Sequence, residues 1–442
     1  NIYWYYRCCI FVLMKWYLCF FSLLVSFYFL NAQKKLVRKF NRSIAMETAF
    51  KGAQVSISVF DLEEKKEVVF IQSDKNILPA STIKLVTFLG ALQTFGFTMP
   101  LFHYKKKGSR FYFWSTSYPL VAHPSHVNEE AFTFLKKQKD SLFYIPRPMT
   151  SPDLGSGWAW DDTSFAFSAK KSTFPFHGNL VQIISSPETD SLGFSPQRFE
   201  QTIPYTKKQA YYEFLANDQI RRLSRIKADT LYLPFKPSDS LFVQLAQDAI
   251  TTPIYIESKQ GTSLEGYKTL TTTKTTLYKA LLHESDNLVA ESLVLMLSGT
   301  AQWELNTQQG LAMLYQQNKT LKSQFRQVDG SGLSRYSLAN PRGLLETLDK
   351  IYDMIGTSKI KNLLPQVNSE GTLNYYAPKQ KLDFVFAKSG SLRNNHALAG
   401  YIFSKANKPY AFVISVNNYT RDKEAIQAAV GAQLSFLYKK LR

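Results

Sequence analysis

From residue 20 onward the chain contains no cysteine; its three are Cys8, Cys9 and Cys19. Disulfide bracing and thiolate metal sites are thereby excluded from the body of the protein. Acidic residues are scarce too, 34 against 53 Lys and Arg, for a formal net charge of +19. That balance favours an anionic surrounding: nucleic acid, a membrane surface or an anionic cell-wall polymer. No zinc-finger frame or basic helix organises the cations, so nucleic acid is not expected as a partner. The His-Glu-x-x-His signature of zinc proteases is missing, and no internal repeat or low-complexity linker interrupts the chain. His123 and His126, three apart in a proline-containing segment, read as surface residues rather than metal ligands. Gly261-Thr-Ser-Leu-Glu-Gly266-Tyr-Lys268 carries one residue too many before its lysine for a phosphate loop.

Long apolar runs are absent except at the start. Met14-Lys15 precedes an apolar segment of about fifteen residues that ends at Leu30, followed by Asn31-Ala32-Gln33. The pattern reads as a secretory signal over residues 1–33, cut near Ala32, with residues 1–13 as upstream sequence. The alternative is an uncleaved anchor, because Cys8 to Leu30 is long enough to span a bilayer. Either reading places the body in the periplasm or on another extracytoplasmic face of the envelope. A basic amphipathic stretch over residues 35–52 reads as a packing helix, with peripheral membrane contact as the alternative.

The body divides into three parts. Val55–Val59 and Val68–Ile71 alternate around a charged turn and predict a hairpin. From about Phe97 to Pro253 aromatics, prolines and short strand-like runs alternate, with one helix expected near Lys207–Leu223. The expected division is residues 34–96 and 270–442 as one domain and 97–269 as an inserted, β-rich region. Within it, Trp158 and Trp160 read as local core, a sugar-stacking platform being the alternative. Helical spacing resumes over Leu277–Leu297, Leu311–Gln316 and Pro341–Ile355. Three strands, Phe384–Ala387, Leu398–Phe403 and Tyr410–Val416, then predict an antiparallel meander closed by a helix over Arg421–Leu441.

Three short stretches carry chemistry. In Leu78-Pro-Ala-Ser81-Thr-Ile-Lys84, the apolar residues Leu85, Phe88, Leu89 and Leu92 follow at helical spacing. Ser81 then sits in the first turn of a buried helix, with Lys84 on the same face. A serine hydroxyl is a poor nucleophile until a base takes its proton, and a lysine serves only if its ammonium is destabilised. Ser285-Asp-Asn287 falls at a helix junction, where Ser285 can relay a proton and the Asn287 amide can hold a peptide backbone. Lys388-Ser389-Gly390-Ser391 ends a strand, where a lysine and a hydroxyl can clamp a carboxylate.

Ser-x-x-Lys, Ser-x-Asn and Lys-[Ser/Thr]-Gly, in that order, form the signature set of penicillin-recognising serine acyl-enzymes. The chain resembles the D-alanyl-D-alanine carboxypeptidase/endopeptidase family of low-molecular-mass, class C penicillin-binding proteins. Val328-Asp-Gly-Ser-Gly-Leu-Ser-Arg335, Gly371-Thr-Leu, Leu398-Ala-Gly-Tyr and the Gly-Trp-x-Trp-Asp-Asp run ending at Asp162 extend the resemblance. So does the gap of about 200 residues between Lys84 and Ser285. Ser389 departs from the commoner threonine but keeps the hydroxyl. Phe111–His126 departs from a Gly-Asp-Pro-Thr-Leu-like turn.

The resemblance implies an α+β, β-lactamase-like transpeptidase fold, an antiparallel sheet covered by helices with a large insertion. It implies that Ser81 attacks the penultimate D-alanine carbonyl of a peptidoglycan stem peptide, with Lys84 as base. The helix terminus and Lys388 would lower the Lys84 pKa, and Ser285 would relay the proton. Asn287 would hold the substrate backbone, Lys388 and Ser389 the free carboxylate, and the N–H groups of Ser81 and Ser391 the oxyanion. Gly390 would admit the substrate close to the strand. No metal or organic cofactor would enter, and β-lactams would act as covalent inhibitors; the sequence leaves open whether the protein forms a homodimer. The competing readings are a serine β-lactamase and a non-catalytic wall-binding scaffold.

Overall fold

The computed structural model describes residues 36–126, 128–185, 192–200, 230–258 and 265–441, with three two-residue strands between residues 202 and 221. The signal-like segment and the start of the glycine-containing run at 261 lie outside the described residues. A five-stranded antiparallel sheet forms the frame, in the order Val385–Leu392, Asn395–Phe403, Pro409–Asn417, Gln54–Asp61 and Lys66–Ile71. The N-terminal hairpin thus closes on the C-terminal meander, with Ile57 opposite Ile414 and Val59 opposite Phe412.

Both central strands of the meander are buried at every residue, because each face of the sheet carries helices. Side-chain alternation sorts them. Ala399, Tyr401, Phe403 and Val413 pack towards the helices Lys84–Phe95 and Pro341–Leu363. Leu398, Ile402, Phe412 and Ile414 pack on the other side with Phe40 and with Val430 and Leu434 of the closing helix Lys423–Tyr438. The Pro341 helix breaks its geometry at Gly356 (φ 67°), one residue beyond the end of the sequence periodicity.

The helix Lys84–Phe95 stops at Gly96 (φ 57°), and Met99–Lys107 then leaves the frame. It pairs antiparallel with Lys268–Thr272, Met99 facing Thr272, so the intervening segment departs and returns on adjacent strands. That segment builds a second five-stranded sheet and a three-stranded one of Thr230–Pro234, Leu180–Ser185 and Leu192–Ser195. The helix expected near Lys207–Leu223 is not what the described part shows. Glu213–Phe214 and Ile220–Arg221 pair as antiparallel strands, so sheet pairing overrides the local pattern. The region's longest helix is instead Asp239–Ile250, capped by the Ser238 hydroxyl on Leu241 N at 3.1 Å, with Phe242, Leu245 and Ile250 buried. Among the described residues no helix is long and apolar enough to cross a membrane.

Arg147 pins this region to the frame. It is buried, which lowers its pKa to about 10. Its guanidinium donates to the carbonyls of Ser115, Gly299, Gln302 and Trp303 at 3.0, 3.4, 2.8 and 2.8 Å. Three of those close the end of the helix Asn287–Gly299, where a cation also meets the negative end of the dipole. Arg147→Met should leave the carbonyls unpaired, at about 1–3 kcal/mol for each that finds no other donor, read as a lowered unfolding midpoint. An unchanged midpoint would show that water replaces the guanidinium.

Candidate active site

Ser81 lies in a 3-10 turn, Ala80–Ile83, that precedes the α-helix rather than in the helix itself. The difference matters, because side chains three apart eclipse in a 3-10 turn and bring Ser81 under Lys84. Ala80 takes a left-handed φ of 45°, a strained value for a residue with a Cβ. Two glycines close on this turn. A Cβ on Gly332 would stand 2.0 Å from Ala80 O, and one on Gly390 2.6 Å from Pro79 O and 2.8 Å from Ser81 N. The turn is therefore held from the Val328–Arg335 loop on one side and from the Lys388 strand on the other.

Lys84 is fully buried, and its Nζ donates to Ser81 Oγ at 2.9 Å, Asn287 Oδ1 at 2.6 Å and Ser331 O at 2.7 Å. Burial lowers its pKa to about 8, against the opposing pull of Asp329, Asp286 and Glu291. Desolvation leads here, rather than the helix terminus or Lys388. Lys388 feels the repulsion instead: burial and then the Lys84 charge push it well below the usual lysine range.

Asn287 opens its helix behind the Asp286 cap, whose carboxylate accepts from Val289 N at 2.9 Å. Its amide is engaged at both ends, Oδ1 by Lys84 and Nδ2 by Phe167 O at 2.7 Å. Asn287 thus holds the lysine and the Phe167 loop at once, and its Nδ2 keeps a second N–H beyond these two bonds. Glu291, one helical turn on, accepts from Gly330 N and Ser331 N, both at 2.9 Å, and so sets the carbonyl that Lys84 meets. Ser285 is half-buried and left-handed (φ 60°). Among the described residues its hydroxyl makes no hydrogen bond to Ser81 or Lys84.

Residues between 123 and 167 wall the cleft. His123 is buried, not a surface residue: its Nδ1 accepts from Ser125 N at 3.2 Å, leaving Nε2, 3.3 Å from Asp286 Oδ2, to donate. His126 is half-buried beside it. Trp158 Nε1 donates to Asp329 Oδ2 at 3.0 Å, and the Ser334 hydroxyl donates to Ser156 O at 2.6 Å. Trp160, expected as core, is 86% exposed, because the 3-10 turn Trp160–Asp162 points it outward. Phe165 and Phe167 stack beside the Asn287 end of the cleft, 5.3 Å apart and nearly parallel.

On the opposite side runs the edge strand of the sheet. Lys388 is buried beneath it and donates to Ser389 O at 2.8 Å. Ser389 and Ser391 alternate to the exposed face, where Ser389 Oγ lies 3.1 Å from Thr372 Oγ1. Thr372 is placed by Gly371 (φ 52°), whose missing Cβ would stand 2.5 Å from His283 O. Ser81, Lys84, Asn287, Lys388 and Gly390 thus come together, with Ser389 and Ser391 on the other face of the same Val385–Leu392 strand.

A sequence model of the D-Ala-D-Ala carboxypeptidase 3 (S13) family matches residues 37–100 and 240–436, more than half of the chain. The chain belongs to the S13 family. It is 23% identical over 322 residues to the D-alanyl-D-alanine carboxypeptidase DacB of Haemophilus influenzae, covering 65% of this chain and 66% of that one. It is 22% identical over 304 residues to penicillin-sensitive carboxypeptidase A of Dictyostelium discoideum, covering 60% and 58%. The chain therefore matches 66% and 58% of the length of these two relatives, less than two thirds of each. The crystal structure of penicillin binding protein 4 from Haemophilus influenzae superimposes with a TM-score of 0.70 at 18% identity, over 91% of this chain and 99% of that one. The S13 match and that superposition agree with the expected α+β, penicillin-binding fold. Asp329, Ser331, Glu291 and Thr372 were not singled out by residue chemistry, although the Asp329-Gly-Ser-Gly and Gly371-Thr runs that carry three of them were visible.

Proposed function

We propose that this chain is a serine D-alanyl-D-alanine carboxypeptidase/endopeptidase acting on peptidoglycan stem peptides outside the cytoplasm, and that β-lactams acylate the same serine. The observation that carries the reading is the set of three acceptors around Lys84. An ammonium fills all three. A neutral amine has two N–H groups and one lone pair, and Asn287 Oδ1 and Ser331 O can only accept. The lone pair is left facing Ser81 Oγ, the arrangement a general base needs.

Ser81 Oγ attacks the penultimate D-alanine carbonyl as Lys84 takes its proton. The C–N bond breaks, and the terminal D-alanine leaves with a proton returned from Lys84 through the Ser285 hydroxyl. Water, deprotonated by Lys84, then releases the acyl group. The N–H groups of Ser81 and Ser391 hold the oxyanion, where one donor is typically worth about 2.7–4 kcal/mol. The Ser389 and Ser391 hydroxyls bind the substrate carboxylate over the Lys388 ammonium, whose protonation that anion favours. The two relatives, a D-alanyl-D-alanine carboxypeptidase and a penicillin-sensitive carboxypeptidase, support the substrate class and the β-lactam reading.

The test is release of D-alanine, and of cross-linked dimers, from intact muropeptides, read by mass. No product, and no penicilloyl adduct, would defeat the reading. A pH profile follows from the base. Acylation at limiting substrate should rise about tenfold per unit below the Lys84 pKa of about 8 and level off above it. A rate flat from pH 5 to 9 would remove Lys84 from the role.

A further inference from the structure

Behind Ser391 runs a chain of hydrogen bonds that the reaction above does not use. Ser391 Oγ is 2.9 Å from His396 Nδ1, and His396 Nε2 is 2.5 Å from the Tyr376 hydroxyl. The sheet register sets Ser391 directly opposite His396. Ser391 is exposed, one residue beyond the Gly390 that meets the Ser81 turn, whereas His396 and Tyr376 are 1% and 3% exposed.

The proton count along this chain has one satisfactory solution. Burial, helped by the Lys423 charge, holds His396 neutral, so the ring carries one N–H. Among the described residues the Tyr376 hydroxyl has one hydrogen-bond partner, His396 Nε2. Were Tyr376 to accept from the ring, its own hydrogen would be buried without an acceptor. Burial, with Tyr419 nearby, also keeps it a phenol rather than a phenolate. Tyr376 therefore donates to Nε2, the ring proton sits on Nδ1, and Nδ1–H donates to Ser391 Oγ. Among the described residues the Ser391 hydrogen then has no acceptor, and it is free for a ligand lying against the exposed face of the strand.

We propose that Tyr376 and His396 are positioning residues that lock the Ser391 hydroxyl as an outward hydrogen-bond donor, selecting ligands that end in a carboxylate. A hydroxyl free to turn could equally accept from the N–H of a C-terminal amide. With one lone pair held by His396 Nδ1–H and its hydrogen turned outward, Ser391 Oγ makes its strongest bond to a carboxylate, which only accepts. The inference rests on the proposed peptidase reading and adds the terminal group to it.

Two measurements test it. In the unmodified protein, nitrogen-15 NMR should place the His396 proton on Nδ1; a proton on Nε2 would overturn the proposal. Cleavage of matched peptides ending in D-Ala-D-Ala carboxylate or its amide then gives an acid-over-amide ratio of kcat/KM. Ser391→Ala and His396→Phe should each lower that ratio roughly tenfold, the scale of a hydrogen bond to a charged group. The double variant should fall no further than Ser391→Ala, because His396 acts through that hydroxyl. Additive losses, or an unchanged ratio in His396→Phe protein that still forms a stoichiometric penicilloyl adduct, would sink it. Failure of the unmodified protein to form that adduct would instead sink the Ser81 reading.

Discussion

Ser81→Ala protein should form no penicilloyl adduct and should release D-alanine from a pentapeptide at least about 10⁴-fold more slowly than the parent. The loss is chemical, not structural. Gly332 and Gly390 grip the backbone of the turn, and the left-handed strain sits on Ala80, so none of the packing depends on the Ser81 hydroxyl. Lys84 keeps two of its three partners, Asn287 Oδ1 and Ser331 O. The unfolding midpoint should accordingly stay within a few degrees of the parent, consistent with about 1 kcal/mol for one hydrogen bond. An adduct that survives the substitution, mapped by peptide mass, would move the nucleophile elsewhere.

Lys84→Met carries the second large effect. Methionine is of similar length and apolar, so it fills the same buried channel without a titrating group. Ser81 then has no base within reach, and acylation by penicillin should slow by about 10²–10⁴-fold, the usual contribution of positioned proton transfer. Stability changes by two opposed terms. Removing a buried cation relieves its desolvation, while Asn287 Oδ1 and Ser331 O are left unpaired at about 1–3 kcal/mol each. The residual rate should also lose the rise towards pH 8 seen in the parent. If that rise persists, the titrating group is another residue, and Lys388, a further buried lysine of the site, would be next to test.

Glu291 and Asp329 show why the site needs so many buried carboxylates. Asp329 ties its loop together by accepting from Gly332 N at 3.1 Å and Ser334 N at 2.7 Å, while Glu291 fixes Gly330 and Ser331. Their charges oppose the desolvation of Lys84 and keep its pKa near 8 rather than lower. A base that titrates close to the working pH combines a useful neutral fraction with adequate proton affinity. The same side chains thus shape the loop and tune the lysine.

Local patterning was enough to determine the hairpin, the final meander, the buried helix after Ser81 and the three short motifs, because each is written in side chains close together in the chain. Alternation and helical spacing need only neighbouring residues, and order along the chain sufficed for the family resemblance. What only the tertiary structure decided depends on contacts between distant segments. Asn287 turns out to hold Lys84 and Phe167 O, His123 is buried against Asp286, and Trp160 faces solvent, none of which spacing encodes. The pKa of Lys84 is of the same kind, since desolvation is a property of everything packed around a charge rather than of its neighbours in sequence.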